Sequence, residues 1–404
     1  MRLLLLTQYF WPENFRINEL AVEMGRRGHQ VTVLTGVPNY PEGIVYPQYR
    51  AAPAIWQRLE DVEVVRVPLA VRGQGSFRLV LNYLSFALAA STLGVWKLRG
   101  REFDAILVFQ PSPATIGLPS VILRRLKRAH TLFWVQDLWP DTLQAVGIVR
   151  SPSVLRLMDW LLGWVYSRTD RLLAQSQAFM PRLRQQAPSH VPISYLPNWA
   201  SPAPESLLSA SRVPSVTRAV FNIYYLGNLG EAQDFPSVLD AVAHLAHRDD
   251  LHWYLVGDGR LAGWIEEQLN ARGLQHRVSL LGAFPPEQME RFYADADALL
   301  VSLKSDPLFA MTVPSKVQSY LAAGIPLLAM LDGEGARIVR DAGAGLTCAA
   351  GDSAGLVRSV EALMNLPAEQ RQRMGQAGCE YNRREFDFHQ LVDRLEGMIE
   401  AQQT

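Results

Sequence analysis

Short apolar runs recur along the chain, each followed by a longer stretch in which apolar residues return every three or four positions. The first run is Leu3–Leu6. Past a proline-containing loop, Ile17, Leu20, Ala21 and Met24 take the spacing of one helix face, closed by Gly28. Val31–Leu34, Val62–Val67, Ala105–Phe109, Leu132–Val135 and Leu172–Ala174 continue the series. These runs are apolar at consecutive rather than alternate positions, which predicts parallel strands covered on both faces. Residues 200–220 break the texture: serines with Pro202, Pro204 and Pro214 replace large apolar side chains, predicting a linker. The alternation restarts with Asn222–Leu226, His252–Val256, Val278–Leu281, Ala298–Leu303, Pro326–Leu331 and Gly345–Cys348. Two successive α/β domains are expected, with ligands beyond the carboxyl ends of the strands and a cleft between the domains as the site.

Composition narrows the class. With 404 residues, 49% hydrophobic and 19% charged, each half can bury a full core. Two cysteines, Cys348 and Cys379, make neither a disulfide framework nor a cysteine-based zinc site, and fit a reducing cytosol. Four leucines at the start are too few for a signal peptide. Leu79–Trp96 is interrupted by Asn82, Ser85, Ser91 and Thr92 and falls short of a membrane span, so a soluble or peripheral protein is expected. The formal net charge of zero argues against a nucleic-acid partner, yet it is a cancellation. Residues 1–198 hold 22 basic and 13 acidic side chains, a net of +9, and residues 199–404 hold 17 and 26, a net of −9. A basic first domain suits an anionic membrane surface, as do Arg78, Lys97, Arg99 and Arg101 around the apolar stretch and the cluster Arg124-Arg125-Lys127-Arg128.

Several segments carry candidate chemistry. Gly227-Asn228-Leu229-Gly230-Glu231-Ala232-Gln233 follows a strand and precedes a helix, where N–H groups can approach a phosphate; a turn that binds nothing fits as well. Gly257-Asp258-Gly259-Arg260-Leu261-Ala262 matches a loose dinucleotide fingerprint, but no acid follows at the ribose-binding distance. Asp295-Ala296-Asp297 has the form of a DxD metal site, and His244 with His247 could share a metal; helix-end carboxylates and a solvated face are the better readings. Only four of the basic residues are lysines, and two of them, Lys304 and Lys316, bracket one loop that ends in Pro314-Ser315-Lys316 at a helix start. A hydroxyl, free N–H groups and a point charge together suit a diphosphate. Trp134–Asp141 ends a strand with Asp137, Asp141, Trp134 and Trp139, a set that could hold carbohydrate or be a buried aromatic loop.

In order and spacing, these segments resemble the family 4 retaining glycosyltransferases of the GT-B fold, an α/β class with two Rossmann-like domains facing a central cleft. The likeness is to bacterial transferases of exopolysaccharide and O-antigen (lipopolysaccharide) assembly, including the colanic-acid type. It rests on Gln8–Glu13, Gly28–Gly36, Pro38–Pro41, Gln136–Asp141, Pro197-Asn198, Gly227–Gln233, Gly257–Gly259 and Pro314–Lys316 through Gly324-Ile325-Pro326. The resemblance implies domains 1–199 and 221–385, a linker at 200–220, and a last helix within 386–404 that crosses back to the first domain. It implies transfer of a sugar from a nucleotide-sugar donor, UDP-linked, with retention and without a metal or other cofactor. The acceptor would be a saccharide on undecaprenyl diphosphate at the cytoplasmic face of the inner membrane. Implied donor-binding residues are Gly227, Asn228, Leu229, Gly230, Gln233, Asp258, Ser315, Lys316 and Ser319; implied acceptor-binding residues are Glu13, Asn14, Arg16, Trp139 and Asp141.

The departures from the family pattern are specific. The diphosphate-neutralising Arg and Lys are Asn228 and Gln233 here, the paired glutamates are Met311 and Ser319, and the catalytic-loop histidine is Gln136. Lys304 and Lys316 are the natural replacements for the lost positive charge at the leaving diphosphate, helped by N–H groups of Gly227–Gly230. In such enzymes the leaving phosphate itself takes the acceptor's proton, so Asp137 is expected to orient the acceptor hydroxyl or the donor sugar, with Glu13 or Asp141 assisting. The missing glutamates and histidine leave two other readings, a non-catalytic nucleotide-sugar-binding scaffold and a GT-B-fold sugar-nucleotide epimerase.

Overall fold

The computed structural model describes residues 1–73, 75–145, 149, 151–200, 220–285 and 288–401, so nearly all of the expected linker lies outside the described residues. The chain divides into two compact units, Met1–Pro197 with His389–Thr404, and Asn198–Phe388.

The first unit is built on an eight-stranded sheet. Its strands are β1 (Arg2–Leu6), β2 (Gln30–Gly36), β3 (Arg58–Leu59), β4 (Val62–Val67), β5 (Ala105–Gln110), β6 (His130–Val135), β7 (Arg171–Ala174) and β8 (Ile193–Tyr195), in the order β3-β4-β2-β1-β5-β6-β7-β8. Every pairing is parallel except β3 with β4. Successive residues of a strand face opposite sides, and helices cover both, so Leu3 to Leu6 are all buried. β3 and β8 escape the apolar pattern because they are two and three residues long and none of their residues is fully buried. The helix Arg16–Arg26 buries the four residues that its spacing predicts. The last helix, Phe388–Glu400, packs on this unit. Glu396 pairs with Arg27 (2.7 Å) and with the His29 imidazole (2.6 Å), and Arg394 donates to the Tyr195 carbonyl (2.9 Å).

The second unit holds a six-stranded, all-parallel sheet of β9 (Phe221–Leu226), β10 (Leu251–Val256), β11 (Val278–Gly282), β12 (Ala298–Ser302), β13 (Leu327–Met330) and β14 (Gly345–Cys348). The order is β11-β10-β9-β12-β13-β14. Ile223, Tyr225, Trp253 and Leu255 meet the helix Phe235–His244 on one face. Tyr224, Leu226, Leu299 and Val301 meet the helices Ser315–Ala323 and Gly333–Asp341 on the other. Strand order reverses beside β1 in the first sheet and beside β9 in the second. The loops after β1, β5, β9 and β12 therefore open at switch points, where such sheets bind ligands. Both cysteines are free thiols.

Candidate active site

The second unit's site starts where β9 ends. The buried Tyr320 hydroxyl accepts the Leu226 N–H (3.0 Å) and donates to the Leu226 carbonyl (3.2 Å), locking the helix Ser315–Ala323 against the strand end. The chain then turns at Gly227, whose φ of +126° favours glycine. That lock fixes the Lys316 side chain. Its ammonium lies over the Tyr225 ring at 4.8 Å, and a Cβ on Gly227 would stand 3.0 Å from Nζ. Burial pushes the Lys316 ammonium down to about 8, and among the described residues no carboxylate pairs with it. A largely buried cation without a counter-ion is a site waiting for an anion. Tyr320→Phe is expected to destabilise the unit by about 1–3 kcal/mol, because the Leu226 N–H loses its acceptor; urea denaturation checks this.

The remaining expected donor residues fall into two groups. Three of the four N–H groups of Gly227–Gly230 are already donated: Gly227 to Val256 O (2.7 Å), Leu229 to Asp258 O (2.8 Å), and Gly230 to Gln233 Oε1 (3.0 Å). The expected N–H cradle is corrected accordingly, since two of those donors knit the loop to its neighbour and the third closes the loop on itself. Leu229 is fully buried and belongs to the core. Gln233 is turned onto Gly230, whose Cβ position also lies 2.5 Å from Asn228 Nδ2. Asp258 is exposed and accepts the Gly259 N–H (2.7 Å). Lys304 is exposed on a loop tied to this one by its own N–H to Ala232 O (2.8 Å) and by the Ser302 hydroxyl to Gln233 O (2.7 Å). Ser315 is exposed at the helix start, with Ser319 half-buried one turn on. The structure thus brings Lys316, Gly227, Asn228 and Gly230 together, with Lys304 on the adjoining loop.

In the first unit, Asp137 sits just beyond β6. The Thr142 hydroxyl donates to its Oδ1 and the Trp139 indole N–H to its Oδ2 (3.3 Å). Burial pushes its carboxyl up to about 6 against those bonds. Trp139 is only 4% exposed and packs edge-on against Tyr83, so its expected role as a sugar platform is corrected: the ring is core and its N–H holds Asp137. Glu13 is corrected too. It is 1% exposed, its Oε1 accepting from Asn39 N (2.8 Å) and Tyr40 N (2.7 Å) and its Oε2 from Phe10 N (3.1 Å), which joins two loops from within. Burial pushes it up to about 7, with the three N–H groups pulling the other way. Asp141 pairs with Arg182 (3.0 Å), which also holds Asp159 (2.8 Å). Asn14 is exposed, and burial lowers the Arg16 guanidinium.

Four glutamines share the carboxyl edge of the first sheet, and only Gln8 and Gln136 lie in segments that carry the family resemblance. Gln8, Gln110, Gln136 and Gln175 stand at the carboxyl ends of the adjacent strands β1, β5, β6 and β7. Gln110 and Gln175 donate to main-chain carbonyls of Asp137 (3.2 Å) and Gln136 (3.3 Å), holding the loop that carries Asp137. A glutamine directly after a run of apolar residues, or one residue further on as at Gln8, is the signal that finds them.

The rival motifs have structural explanations. A Cβ on Gly257 would lie 1.9 Å from the Gly227 carbonyl, and one on Gly259 2.4 Å from that of Leu229. Those glycines let two loops touch. Asp297 accepts the Asn222 N–H (2.9 Å), and Asp295 accepts from the Tyr224 hydroxyl (2.7 Å). His244 and His247 each bond a main-chain carbonyl of their own helix end. Among the described residues no group of three His, Cys, Asp or Glu stands close enough to hold a metal.

Comparison with known proteins agrees with this architecture. A family model described as a glycosyl transferase 4-like domain matches residues 14–199, and one described as glycosyl transferases group 1 matches residues 220–365. The chain is 25% identical over 277 residues to the glycosyltransferase WbjE of Pseudomonas aeruginosa, covering 66% of this chain and 68% of that one. It is 26% identical over 345 residues to WcaI of Escherichia coli K12, a glycosyl transferase of colanic acid biosynthesis, covering 80% and 82%. The solved structure of Anabaena HepE in complex with UDP and glucose superposes with a TM-score of 0.66 at 15% identity over 99% of each chain, a likeness of fold. The chain belongs to the family 4 glycosyltransferases of GT-B architecture.

Proposed function

We propose that this glycosyltransferase moves a sugar from a UDP-linked donor, held by the second unit, to a saccharide on undecaprenyl diphosphate, taken by the first. Transfer proceeds with retention, and the positive charge for the leaving diphosphate comes from lysine. The observation that carries this reading is the largely buried Lys316 ammonium beside Gly227, with which no carboxylate pairs among the described residues. As the glycosidic bond breaks, the β-phosphate gains charge, and a preorganised cation there lowers the barrier. Lys304, exposed on the adjoining loop, adds a second, solvated positive charge for the diphosphate. The carboxylates of the DxD-like segment are occupied by Asn222 and Tyr224, which favours lysine over a metal bound there.

The uridine base rests on the UDP bound by the HepE structure, and the surface-polysaccharide acceptor on the name of WcaI. The acceptor's lipid places the reaction at the cytoplasmic face of the inner membrane, where a basic first unit meets anionic head groups. Thermal shift across a panel of nucleotide sugars tests the donor, because a ligand that binds only the native state stabilises it by mass action. UDP-sugars are expected to raise the melting temperature. Absence of a shift with every nucleotide sugar would contradict the reading. Hydrolysis of donor without acceptor separates an enzyme from a scaffold, and the anomer formed on transfer separates retention from inversion and transfer from epimerisation.

Asp137 orients the reacting hydroxyl. Asp137→Asn keeps the volume but places an amide N–H₂ against the Thr142 or Trp139 donor. Turnover is expected to fall about 10²-fold. The wild-type rate should also fall below pH 6 as this carboxyl protonates. A full rate in Asp137→Asn would remove the assignment.

A further inference from the structure

Twelve of the sixteen large apolar side chains exposed among the described residues lie on three helices of the first unit. These are the helical run Ser76–Lys97 and the helices Gly117–Lys127 and Pro152–Tyr166. The middle helix packs against both others, so their outer sides form one continuous face. A helix on the surface of a soluble protein turns its polar side outward. Here Leu88 is 67% exposed, Trp96 59%, Leu126 58%, Leu157 60% and Trp160 65%. Such a concentration marks an interaction surface.

The first helical run keeps its apolar side outward through a π turn at Ala90–Gly94. Leu88 and Leu93 are five apart, the spacing of that turn, and Trp96 follows three later, so the stripe continues instead of rotating into the sheet. Contrary to the expectation from the sequence, the helical segment Phe77–Lys97 is long and apolar enough to cross a membrane by length and composition. Its inner side is fixed, however. Asn82 donates to the Ala70 carbonyl (2.6 Å) and accepts from Gln8 (2.7 Å), and the Lys97 ammonium donates to the Arg66 carbonyl (2.7 Å). A helix held along one side to a sheet lies flat.

Charge selects the partner. The first two helices carry no acidic side chain, and the only one on the third, Asp159, is engaged by Arg182 and Gln186. Arg78, Arg125 and Arg156 are exposed. At the edges, Arg99 lies over the Trp96 ring at 4.0 Å and Arg168 over the Trp164 ring at 4.3 Å. Tryptophan with arginine at the rim of an apolar face suits the headgroup level of a bilayer.

We propose that this three-helix face inserts into one leaflet of an anionic bilayer, as a shallow anchor with Trp96 and Trp160 at the headgroup level. It rests on the membrane-bound acceptor proposed above and names the surface that meets the membrane. The stretch 79–96 and the basic cluster at 124–128 were legible as membrane-facing; the Pro152–Tyr166 helix was not.

Vesicle flotation tests it, using phosphatidylcholine alone and phosphatidylcholine with phosphatidylglycerol, for the wild type and the double variant Leu88→Glu/Leu157→Glu. Both sites are exposed, and an unchanged donor-dependent melting shift verifies that the variant is folded. The wild type is expected to float with the phosphatidylglycerol vesicles, with Trp fluorescence quenched by bromine-labelled acyl chains. The double variant should bind about 10-fold more weakly or less, with that quenching lost. Equal flotation of variant and wild type would overturn the insertion face while leaving the membrane reading standing. A wild type that floats with neither vesicle would overturn both. Wild-type dimers that the double variant converts to monomers would make the face a self-interface and overturn the proposal.

Discussion

Lys316→Met is expected to give a protein that is more stable than the wild type and nearly inactive. Burial pushes the folded-state Lys316 down to about 8 from the ordinary 10.5. The unfolded chain therefore binds the proton more tightly, and keeping it in the fold at neutral pH costs about 3 kcal/mol. The sign follows from the direction of the shift. The cost is fully present below pH 8 and disappears as pH rises toward 10.5. Methionine fills similar volume without charge, so the gain should be about 1–3 kcal/mol at neutral pH and near zero at pH 10.5. Turnover should fall about 10²–10³-fold, because the leaving diphosphate loses its preorganised cation. Melting curves across pH and initial rates with saturating acceptor check the two halves separately. A variant that is destabilised and fully active would remove Lys316 from the chemistry.

Glu13→Ala is expected to be among the most destabilising single changes in the first unit. The carboxylate accepts N–H groups of Phe10, Asn39 and Tyr40, and removing it leaves three buried donors without a partner. The cost is about 3–5 kcal/mol, read as a lower urea midpoint. Glu13→Gln should cost less, about 1–3 kcal/mol, because its carbonyl still serves Asn39 and Tyr40 while its amide N–H₂ opposes Phe10. The pH dependence distinguishes the two kinds of loss. Burial pushes the folded-state carboxyl up from 4.5 to about 7, so the fold holds more protons than the unfolded chain in that window. Wild-type stability from this group should decline as pH rises from 4.5 through 7, and Glu13→Gln should lack that slope.

The sheets were the most legible part of the molecule. β1, β5, β9 and β12 bury consecutive residues because helices cover both faces, and such runs stand out in the sequence. β3 and β8 were not, because two- and three-residue edge strands leave no run to see. At the candidate site, the sequence pointed to Lys316 through its rarity and its place at a helix start. It could not reveal that Tyr320 pins that helix to Leu226, since the bond joins residues 94 apart. Glu13 and Trp139 were misread for a related reason. An acid or tryptophan in a loop has the same sequence signature whether it faces a ligand or holds the loop from inside, and only burial separates the two. The N–H cradle failed similarly, because two of its donors are used by Val256 and Asp258 and a third by Gln233 of the same loop.

The central claim is that the Lys316 ammonium receives the donor's diphosphate. Isothermal titration of UDP-sugar in buffers of different ionisation enthalpy, at pH about 8.5, measures the protons taken up on binding. With a free-state value near 8, about three-quarters of the Lys316 population is neutral at that pH and must protonate to meet the diphosphate. The account predicts uptake of roughly 0.7 proton by the wild type, none by Lys316→Met, and donor affinity that weakens as pH rises above 8. No uptake by the wild type, or a Lys316→Met variant that binds donor as tightly, would contradict it.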